Sequence, residues 1–413
     1  MSNIKLRLTV LNFFQFFVWG AWLISLGGYM IVSLGFTGGQ VGSIYATMGI
    51  ASLIMPALLG IVADKWINAE RVLGICHIVG AALLMWASTI RDYDTLYYVM
   101  LLNSLFYMPT IALNNTVSYS ILERKGFDIV KDFPPIRVWG TIGFIVAMWA
   151  VDIFGWTKSP LQLYIAAGAG VFLGLYAFSL PPSPPAKKTH KGLVEAFGLD
   201  AFALFKKPTT LVFFLFAMML GAALQITNAF GGAFLDDFKT SYPDSFGVQH
   251  PNILLSISQI SETLFILTIP FFLKRFGIKM VMMLSMAAWV LRFGLFGIGD
   301  PGSGLWLLIL SMVVYGMAFD FFNISGSLFV EKEADEKIRA SAQGLFMLMT
   351  NGVGAYLGGM ISGWVVDYFT IDGVKDWQSI WFTFAGYALV LLLVFPFVFK
   401  YKHDPTQEVA VKH

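Results

Sequence analysis

The chain has 413 residues, of which 57% are hydrophobic and 13% charged, and its mean hydropathy is +0.72. Soluble domains carry about 25% charged residues, so this composition excludes an ordinary soluble protein and requires most of the surface to face lipid. The net charge of +2 is too small to favour nucleic acid as a partner. The single cysteine, Cys76, excludes an internal disulfide, and we expect a buried, inert thiol.

Twelve apolar segments are each long enough to cross a bilayer core of about 30 Å, which takes about 20 helical residues. They are predicted at 8–32, 40–63, 71–90, 96–122, 135–156, 161–180, 208–232, 251–273, 279–299, 303–330, 340–367 and 378–399. The first segment is too long for the apolar region of a signal peptide and no small-residue cleavage site follows it, so we expect a retained helix. The sequence therefore predicts an all-α membrane protein with twelve transmembrane helices.

The longest polar interruption, from Pro181 to Lys207, divides these segments into two sets of six. It begins with paired prolines, which end helices and stiffen a linker. The predicted organisation is a six-helix bundle at 1–180, a cytoplasmic linker at 181–207, a second six-helix bundle at 208–400 and a cytoplasmic tail at 401–413.

The basic residues are distributed unevenly between the predicted loops. Of 27 lysines and arginines, 21 fall on the side that carries the N-terminus and 4 on the other side, while Arg137 and Arg292 remain inside predicted spans. Loops rich in Lys and Arg stay in the cytoplasm. We therefore expect both termini and the central linker to be cytoplasmic.

Two six-helix halves joined by a cytoplasmic loop are the architecture of the major facilitator superfamily, whose halves pack around a binding site at the midplane. The loop after the second span, Gly60-Ile-Val-Ala-Asp64-Lys65, resembles the superfamily's G-x-x-x-D-[RK] turn. The later glycine and basic pair of that pattern are missing, because Ile67, Ala69 and Glu70 stand there instead. An ordinary turn at the membrane surface is the alternative interpretation.

Four ionisable residues stand out inside the predicted spans: Arg137, Glu262, Arg292 and Asp320. Ionisable groups in a membrane are costly and usually face a partner or a cavity. Two of the four are basic and two are acidic, so a pair of structural salt bridges is one interpretation. In a chain with twelve spans the functional interpretation is favoured.

Polar and aromatic residues recur at helical spacing near these four. Arg137, Thr141 and Phe144 share one face of the fifth span. On spans seven and eight, polar residues lie three apart: Gln225 with Asn228, and Gln259 with Glu262. On span ten, Tyr315, Phe319 and Phe322 form an aromatic stripe, and Asp320 and Asn323 lie on the adjoining face. On span one, Gln15, Trp19 and Trp22 form a mixed stripe. Each set alone is explained by helix packing. Together they predict a site for a small polar, partly aromatic solute, and a sugar and a nucleoside both satisfy this description.

Four segments resemble the bacterial nucleoside:proton symporters of the major facilitator superfamily. They are Phe133-Pro-Pro-Ile-Arg137-Val-Trp-Gly-Thr141-Ile-Gly-Phe144, Leu224-Gln225-Ile-Thr-Asn228, Ile257-Ser-Gln259-Ile-Ser-Glu262 and Tyr315-Gly-Met-Ala-Phe319-Asp320-Phe-Phe-Asn-Ile-Ser-Gly-Ser327. The resemblance extends from Phe13-Phe14-Gln15-Phe16 to Phe399-Lys-Tyr-Lys-His403, which is nearly the whole chain. It implies proton-coupled uptake of nucleosides by alternating access across the bacterial cytoplasmic membrane.

The resemblance also implies a substrate site, which comprises Arg137, Thr141, Phe144, Gln225, Asn228, Gln259, Glu262, Tyr315 and Phe319. By implication the amides and Glu262 hold ribose hydroxyls or polar atoms of the base, and the aromatic rings pack on the ring system. For proton coupling our hypothesis is Asp320 and Glu262, with Arg137 or Arg292 as the counter-charge. His77 is a weaker candidate and is interpreted as a core histidine with its hydrogen bonds satisfied.

Other classes fit less well. Five scattered histidines and one cysteine provide neither a nucleophile–base pair nor metal ligands at fixed spacing, so we expect no enzyme, metal or cofactor. The coupling ion that the resemblance implies is the proton. Intramembrane charges of both signs favour a carrier over a channel. The main rival is a proton-coupled symporter for a sugar or small glycoside. The expected partners are a nucleoside, protons and the lipid bilayer, with no nucleic acid, and we expect a monomer.

Overall fold

The computed structural model describes residues 3–185 and 199–401, and most of them are helical. The first group of helices is α1 (Asn3–Gly20), α2 (Leu26–Val32), α3 (Gly38–Lys65), α4 (Ala69–Ala87), α5 (Tyr93–Arg124), α6 (Ile129–Ile153) and α7 (Leu161–Phe178). The predicted linker residues 186–198 and tail residues 402–413 lie outside the described part of the chain.

The second group of helices follows a 3-10 segment at Leu199–Lys206. It contains α8 (Pro208–Asp236), α9 (Phe246–Gln249), α10 (Pro251–Ile266), α11 (Ile269–Ile298), α12 (Leu305–Glu333), α13 (Arg339–Met347), α14 (Ala355–Tyr368) and α15 (Trp377–Val398). A π-helical segment at Leu348–Gly354 joins α13 to α14, and short 3-10 turns cover Asp237–Lys239 and Glu336–Ile338. Before α15, strands β1 (Thr370–Ile371) and β2 (Val374–Lys375) form an antiparallel hairpin in which Thr370 pairs with Lys375.

Ten helical segments of the described chain are long and apolar enough to cross a membrane. The other two predicted spans, 8–32 and 251–273, are interrupted: residues 21–25 form a turn between α1 and α2, and α10 ends at Ile266. The predicted division between the spans at 251–273 and 279–299 is confirmed by the backbone at Gly277. Its φ of 74° and ψ of 170° are not helical and suit a residue without a Cβ, so α11 consists of two helical segments, 269–276 and 278–298, that meet at a sharp break.

The described residues form two compact units. The first contains residues 3–36 and 47–185, and the second contains residues 37–46 and 199–401. Helix α3 therefore contributes its first residues to the second unit. The domain boundaries at 180 and 208 stay a prediction.

In the first unit, α1 packs closely against α6. A Cβ added at Gly143 would overlap the carbonyl oxygen of Phe13, and one at Gly20 would overlap that of Phe144. Small residues are what allow membrane helices to approach this closely. The apolar core of the unit includes Leu73, Cys76 (3% exposed) and further buried side chains of α4, α5 and α7.

Helix α12 is packed between α10 and α11 in the second unit. The Ser261 hydroxyl donates to the carbonyl oxygen of Val313, and the Ser285 hydroxyl donates to that of Ala318. A Cβ at Gly316 would lie 2.5 Å from the carbonyl carbon of Ser261. These contacts fix the rotation of the three helices that carry Glu262, Arg292 and Asp320.

Candidate functional site

In the first unit, α6 presents Arg137 to α1. The guanidinium carbon of Arg137 lies 4.0 Å from the centre of the Phe16 ring, a cation–π contact. Thr141 is half-buried one turn later, and Phe144 is buried with its ring perpendicular to that of Trp19 at 6.2 Å. The predicted i, i+4, i+7 face therefore exists, and two aromatic residues of α1 pack against it.

A buried hydrogen-bond network stands next to this face. Gln15 Nε2 donates to Thr110 Oγ1 (2.7 Å), so Gln15 Oε1 accepts from His77 Nε2 (2.8 Å) and that imidazole nitrogen carries the proton. The Tyr107 hydroxyl donates to the Gln15 carbonyl oxygen (2.7 Å). The Tyr107 ring also contacts Trp19, with 5.8 Å between ring centres. His77 is thus a satisfied core histidine, in agreement with the sequence interpretation.

In the second unit, Asp320 is 5% exposed and its Oδ2 has no hydrogen-bond partner within the described chain. Nor does any described basic side chain form an ion pair with it. The carboxylate of Glu262, on α10, is close enough to interact electrostatically with Asp320. Two predicted acidic residues on different helices therefore lie within electrostatic range of each other.

Arg292 is held by aromatic rings. Its guanidinium carbon lies 4.5 Å from the Phe296 ring centre and 5.1 Å from the Tyr315 ring centre, and Nη1 is 3.5 Å from Ser311 Oγ. In the described structure Arg292 forms no salt bridge with Asp320, so the interpretation of structural salt bridges is wrong for this pair. Tyr315, whose ring contacts Arg292, precedes Asp320 by five residues on α12.

Two amide side chains of the second unit hold buried acceptors that lack a donor. Gln225 Oε1 on α8 and Gln259 Oε1 on α10 have no partner among the described residues. Asn228 is half-buried one turn after Gln225. A buried acceptor without a donor is costly, so these amides are suited to receive hydrogen bonds from a ligand or from water.

A series of aromatic rings connects Tyr315 to the start of α15. Tyr315 meets Trp289 edge to face (5.9 Å, 90°), and Trp289 stacks on Phe293 (5.4 Å, 23°). Phe293 stacks on Trp381 (6.2 Å, 12°), which stacks on Trp377 (5.9 Å, 19°). We call these five residues the aromatic column. Phe319, the remaining predicted aromatic residue, is half-buried on α12.

Sequence reasoning missed the polar face of α5. Asn103, Thr110, Asn114 and Ser118 are all buried, and they bond to groups on α4, α1 and their own helix. Their spacings of 7, 4 and 4 residues place them on one helical face. That periodicity was the available signal.

Long apolar helices in two units, with charged and amide side chains in their interiors, define a polytopic transporter with the major facilitator superfamily fold. The family model for nucleoside H+ symporters matches residues 1–404, and the chain belongs to this family. Its relatives are permeases, so the chain is a transporter and not an enzyme.

The chain is similar to two proteins of Escherichia coli (strain K12) over their whole lengths. It is 59% identical to the xanthosine permease over 415 residues, covering 100% of this chain and 99% of the permease. It is 55% identical to the nucleoside permease NupG over 417 residues, covering 100% of both. The crystal structure of the nucleoside transporter NupG superposes with a TM-score of 0.92, covering 97% of this chain and 100% of the other.

Proposed function

We propose that this protein imports nucleosides together with protons across the bacterial cytoplasmic membrane by alternating access. The family membership and the two permease relatives support the substrate class. The observation that carries the coupling is the placement of Asp320, which is buried without a basic partner within the described chain and lies within electrostatic range of Glu262.

The substrate is held by nine residues in two roles. The amides of Gln225, Asn228 and Gln259, with the Glu262 carboxylate, bind ribose hydroxyls and polar atoms of the base. The rings of Phe144, Tyr315 and Phe319 pack on the base; stacking of this kind contributes about 1–3 kcal/mol per base in nucleic-acid binders. Arg137 and Thr141 complete the set with polar donors. The unpartnered acceptors of Gln225 and Gln259 support these roles.

The proton binds at Asp320 or Glu262. An ionised carboxylate inside a membrane is costly unless it is paired, and taking up a proton removes that cost. A second carboxylate within electrostatic range raises the free-energy cost of ionisation further, because like charges repel. Arg292, which packs on the ring of Tyr315 on the same helix as Asp320, is one candidate counter-charge. Arg137 is the other candidate counter-charge.

The remaining features of the proposal follow from composition and charge. The chain is a multi-pass membrane protein, and we place both termini in the cytoplasm because 21 of 27 basic residues fall on that side. It acts as a monomer in the lipid bilayer, with the proton as the coupling ion and without a cofactor.

The test is uptake of radiolabelled uridine and adenosine into proteoliposomes, with and without an imposed proton gradient and with excess sugar as competitor. The proposal expects gradient-dependent uptake that sugar does not reduce. If excess sugar abolishes the uptake of both nucleosides alike, whatever their nucleobase, the rival interpretation of a sugar or glycoside symporter is favoured instead.

The coupling residue is tested with Asp320→Asn and Glu262→Gln. The variant at the proton-binding carboxylate loses gradient-driven accumulation but keeps nucleoside exchange, because exchange needs no net proton movement. Asp335→Asn, an exposed carboxylate after α12, is the control and keeps both activities. Gradient-driven accumulation equal to that of the unmodified chain in both variants would contradict the assignment.

A further inference from the structure

A cavity of about 300 Å³ lies where the C-terminal half of α12 meets α13. Binding pockets for small molecules span about 300–1,000 Å³, so this cavity lies at the lower limit of that range. Asn323, Ser327, Gln343, Phe346 and Met347 line it together with two aliphatic side chains. None of the nine predicted substrate residues is among them, so it is a separate place in the second unit.

The cavity contains amide groups held in a fixed orientation. Gln343 Oε1 accepts from Ser327 Oγ (3.0 Å), and Gln343 Nε2 donates to the Ser327 carbonyl oxygen (2.8 Å). An amide nitrogen carries two hydrogens, so one N–H of Gln343 remains available. The half-buried amide of Asn323 has no hydrogen-bond partner in the part of the chain that the structure describes. The cavity thus offers neutral donors and acceptors to a ligand.

One wall of the cavity is a fixed aromatic ring. Phe346 is 1% exposed and stacks on Phe213 (5.4 Å, 30°), which in turn stacks on Phe322 (5.9 Å, 14°). No charged side chain is among the seven residues that line the cavity. An anionic or cationic ligand would lose water there without gaining a counter-charge, whereas a neutral ring compound with polar edges matches the lining.

The cavity lies on the same face of α12 as Asp320. Asn323 and Ser327 follow Asp320 by three and seven residues, so all three lie on one face of α12. At about 1.5 Å of rise per residue, they are about 5 and 10 Å beyond Asp320 along the axis. This direction leads to Glu333, where α12 ends, on the side that the charge distribution assigns to the cytoplasm.

We propose that this cavity is a second, transient binding position for the transported nucleoside, on its way between the acidic site and the C-terminal end of α12. The inference rests on the proposed function. It adds a selection rule: a neutral nucleoside binds, while its 5′-monophosphate, with two negative charges, does not.

The experiment measures how fast a maleimide labels a cysteine placed in the cavity of the full-length, purified transporter. Met347→Cys provides the thiol, since Met347 is 49% exposed and lines the cavity, and Cys76 is 3% exposed. Uridine at about ten times its Kd should slow labelling about tenfold, because the free fraction falls as 1/(1 + [L]/Kd). Uridine monophosphate at the same concentration should leave the rate unchanged.

The matched control is Ala340→Cys, an exposed position on the same helix that lies seven residues earlier and outside the cavity lining. Its labelling should not respond to uridine. Protection of both cysteines alike would mean a general conformational change and would overturn the proposal, as would equal protection by the monophosphate.

Two further substitutions separate the cavity from the acidic site. Protection of Met347→Cys should persist with Gln259→Ala, which weakens the predicted main site, and should disappear with Asn323→Leu. The reverse pattern overturns the proposal. Uptake of uridine by the Met347→Cys protein is measured in parallel: uptake without protection rejects the cavity alone, whereas absence of nucleoside uptake in the unmodified chain rejects the proposed function as well.

Discussion

At the scale of single residues, Gln15 organises the polar interior of the first unit. Its side chain joins α1 to α5 through Thr110 and to α4 through His77, while its carbonyl oxygen accepts from Tyr107. It is fully buried, so water cannot replace these partners. The network holds Tyr107 against Trp19, whose ring packs on Phe144. Gln15 is therefore a positioning residue for the α1–α6 face.

Replacing Gln15 by leucine should lower the thermal unfolding midpoint of the purified protein. The change leaves the His77 Nε2–H without an acceptor, and a buried unpaired group costs about 1–3 kcal/mol. Gln378→Leu makes the same chemical change at an exposed position in the first turn of α15 and should have little effect. Equal midpoints for the Gln15 variant and the unmodified protein would show that the network does not stabilise the fold.

Glu70 gives a physical reason for the departure from the superfamily's loop motif. It is 3% exposed, and its carboxylate accepts from the Ser183 backbone N–H (2.8 Å) and from Asn68 Nδ2 (3.0 Å). The Ala69 N–H donates in return to the Ser183 carbonyl oxygen (3.1 Å). An acidic side chain here joins the start of α4 to the chain that follows α7, and a basic side chain could not accept these bonds.

At the scale of secondary-structure elements, the first residues of α3 pack on α14 through two facing glycine pairs. Cβ atoms at Gly42 and Gly363 would overlap the carbonyl oxygens of Gly359 and Gly38. The N–H groups of Gly38 and Gly39 donate to the two carboxylate oxygens of Asp367 (2.6 and 2.7 Å). An acid at a helix N-terminus also interacts favourably with the helix dipole.

The substitution Gly42→Leu should separate these two elements. Its Cβ meets Gly359 backbone atoms that cannot move aside, so the bonds from Gly38 and Gly39 to Asp367 are lost and their amide hydrogens exchange faster. Gly60→Leu is the matched control on the same helix, since nothing lies within 4 Å of a Cβ there. Unchanged exchange in the Gly42 variant would mean that the glycine contact is not required for the packing.

Helix α15 begins with a capping carboxylate whose effect depends on pH. The Ser379 N–H and hydroxyl donate to Asp376 (3.1 and 2.6 Å), and these bonds hold the pKa of that carboxyl below its ordinary value of 3.8. Because the folded-state pKa lies below the unfolded one, the cap stabilises the helix start at neutral pH and is lost as the pH falls through the folded value.

Asp376→Ala should therefore speed amide exchange in the first turn of α15 at neutral pH. The difference from the unmodified protein should begin to shrink near the ordinary aspartate pKa of about 3.9 and should vanish below the lower pKa of the folded protein, where Asp376 itself is protonated. The comparison uses exchange corrected for the intrinsic effect of pH. A difference that stays constant down to the lowest pH would show that the carboxylate charge is not what caps the helix.

At the scale of the whole molecule, the uneven distribution of basic residues predicts the orientation in the membrane. A fluorescent protein that matures only in the cytoplasm, fused after His413, should become fluorescent in cells. Alkaline phosphatase, which is active only outside the cytoplasm, should be active when inserted at the β1–β2 turn at Asp372–Gly373. The opposite result for both reporters would reverse the assigned topology.

The sequence predicts the number and place of the spans well, because apolar length is a direct requirement of the bilayer. It does not reveal their interruptions as easily. Gly277 lies in the predicted gap between two spans, and the helix break there agrees with that prediction. Pro270, at the start of α11, is the local signal for the break after Ile266. Whether such a residue breaks a helix inside an apolar span depends on the packing of the flanking segments, which lies outside the local pattern.

For the candidate site, too, the sequence predicts some features and leaves others open. Helical spacing predicts that Arg137 and Phe144 share a face, and the family resemblance identifies the positions on other helices. Neither specifies which side chains meet across helices, because that depends on each helix's rotation. Arg292 shows the difference: sequence charge suggests a carboxylate partner, but the structure surrounds it with Phe296, Tyr315 and Ser311.

The aromatic column also gives this protein an optical property. Trp289 contacts the predicted substrate residue Tyr315, and through Phe293 it connects to the stacked indoles of Trp381 and Trp377. Stacked indoles couple their electronic transitions, and a buried indole emits at shorter wavelength than one in water. A ligand that moves Tyr315 would therefore alter near-ultraviolet circular dichroism and tryptophan emission together, so binding to the unmodified protein can be followed without any attached label.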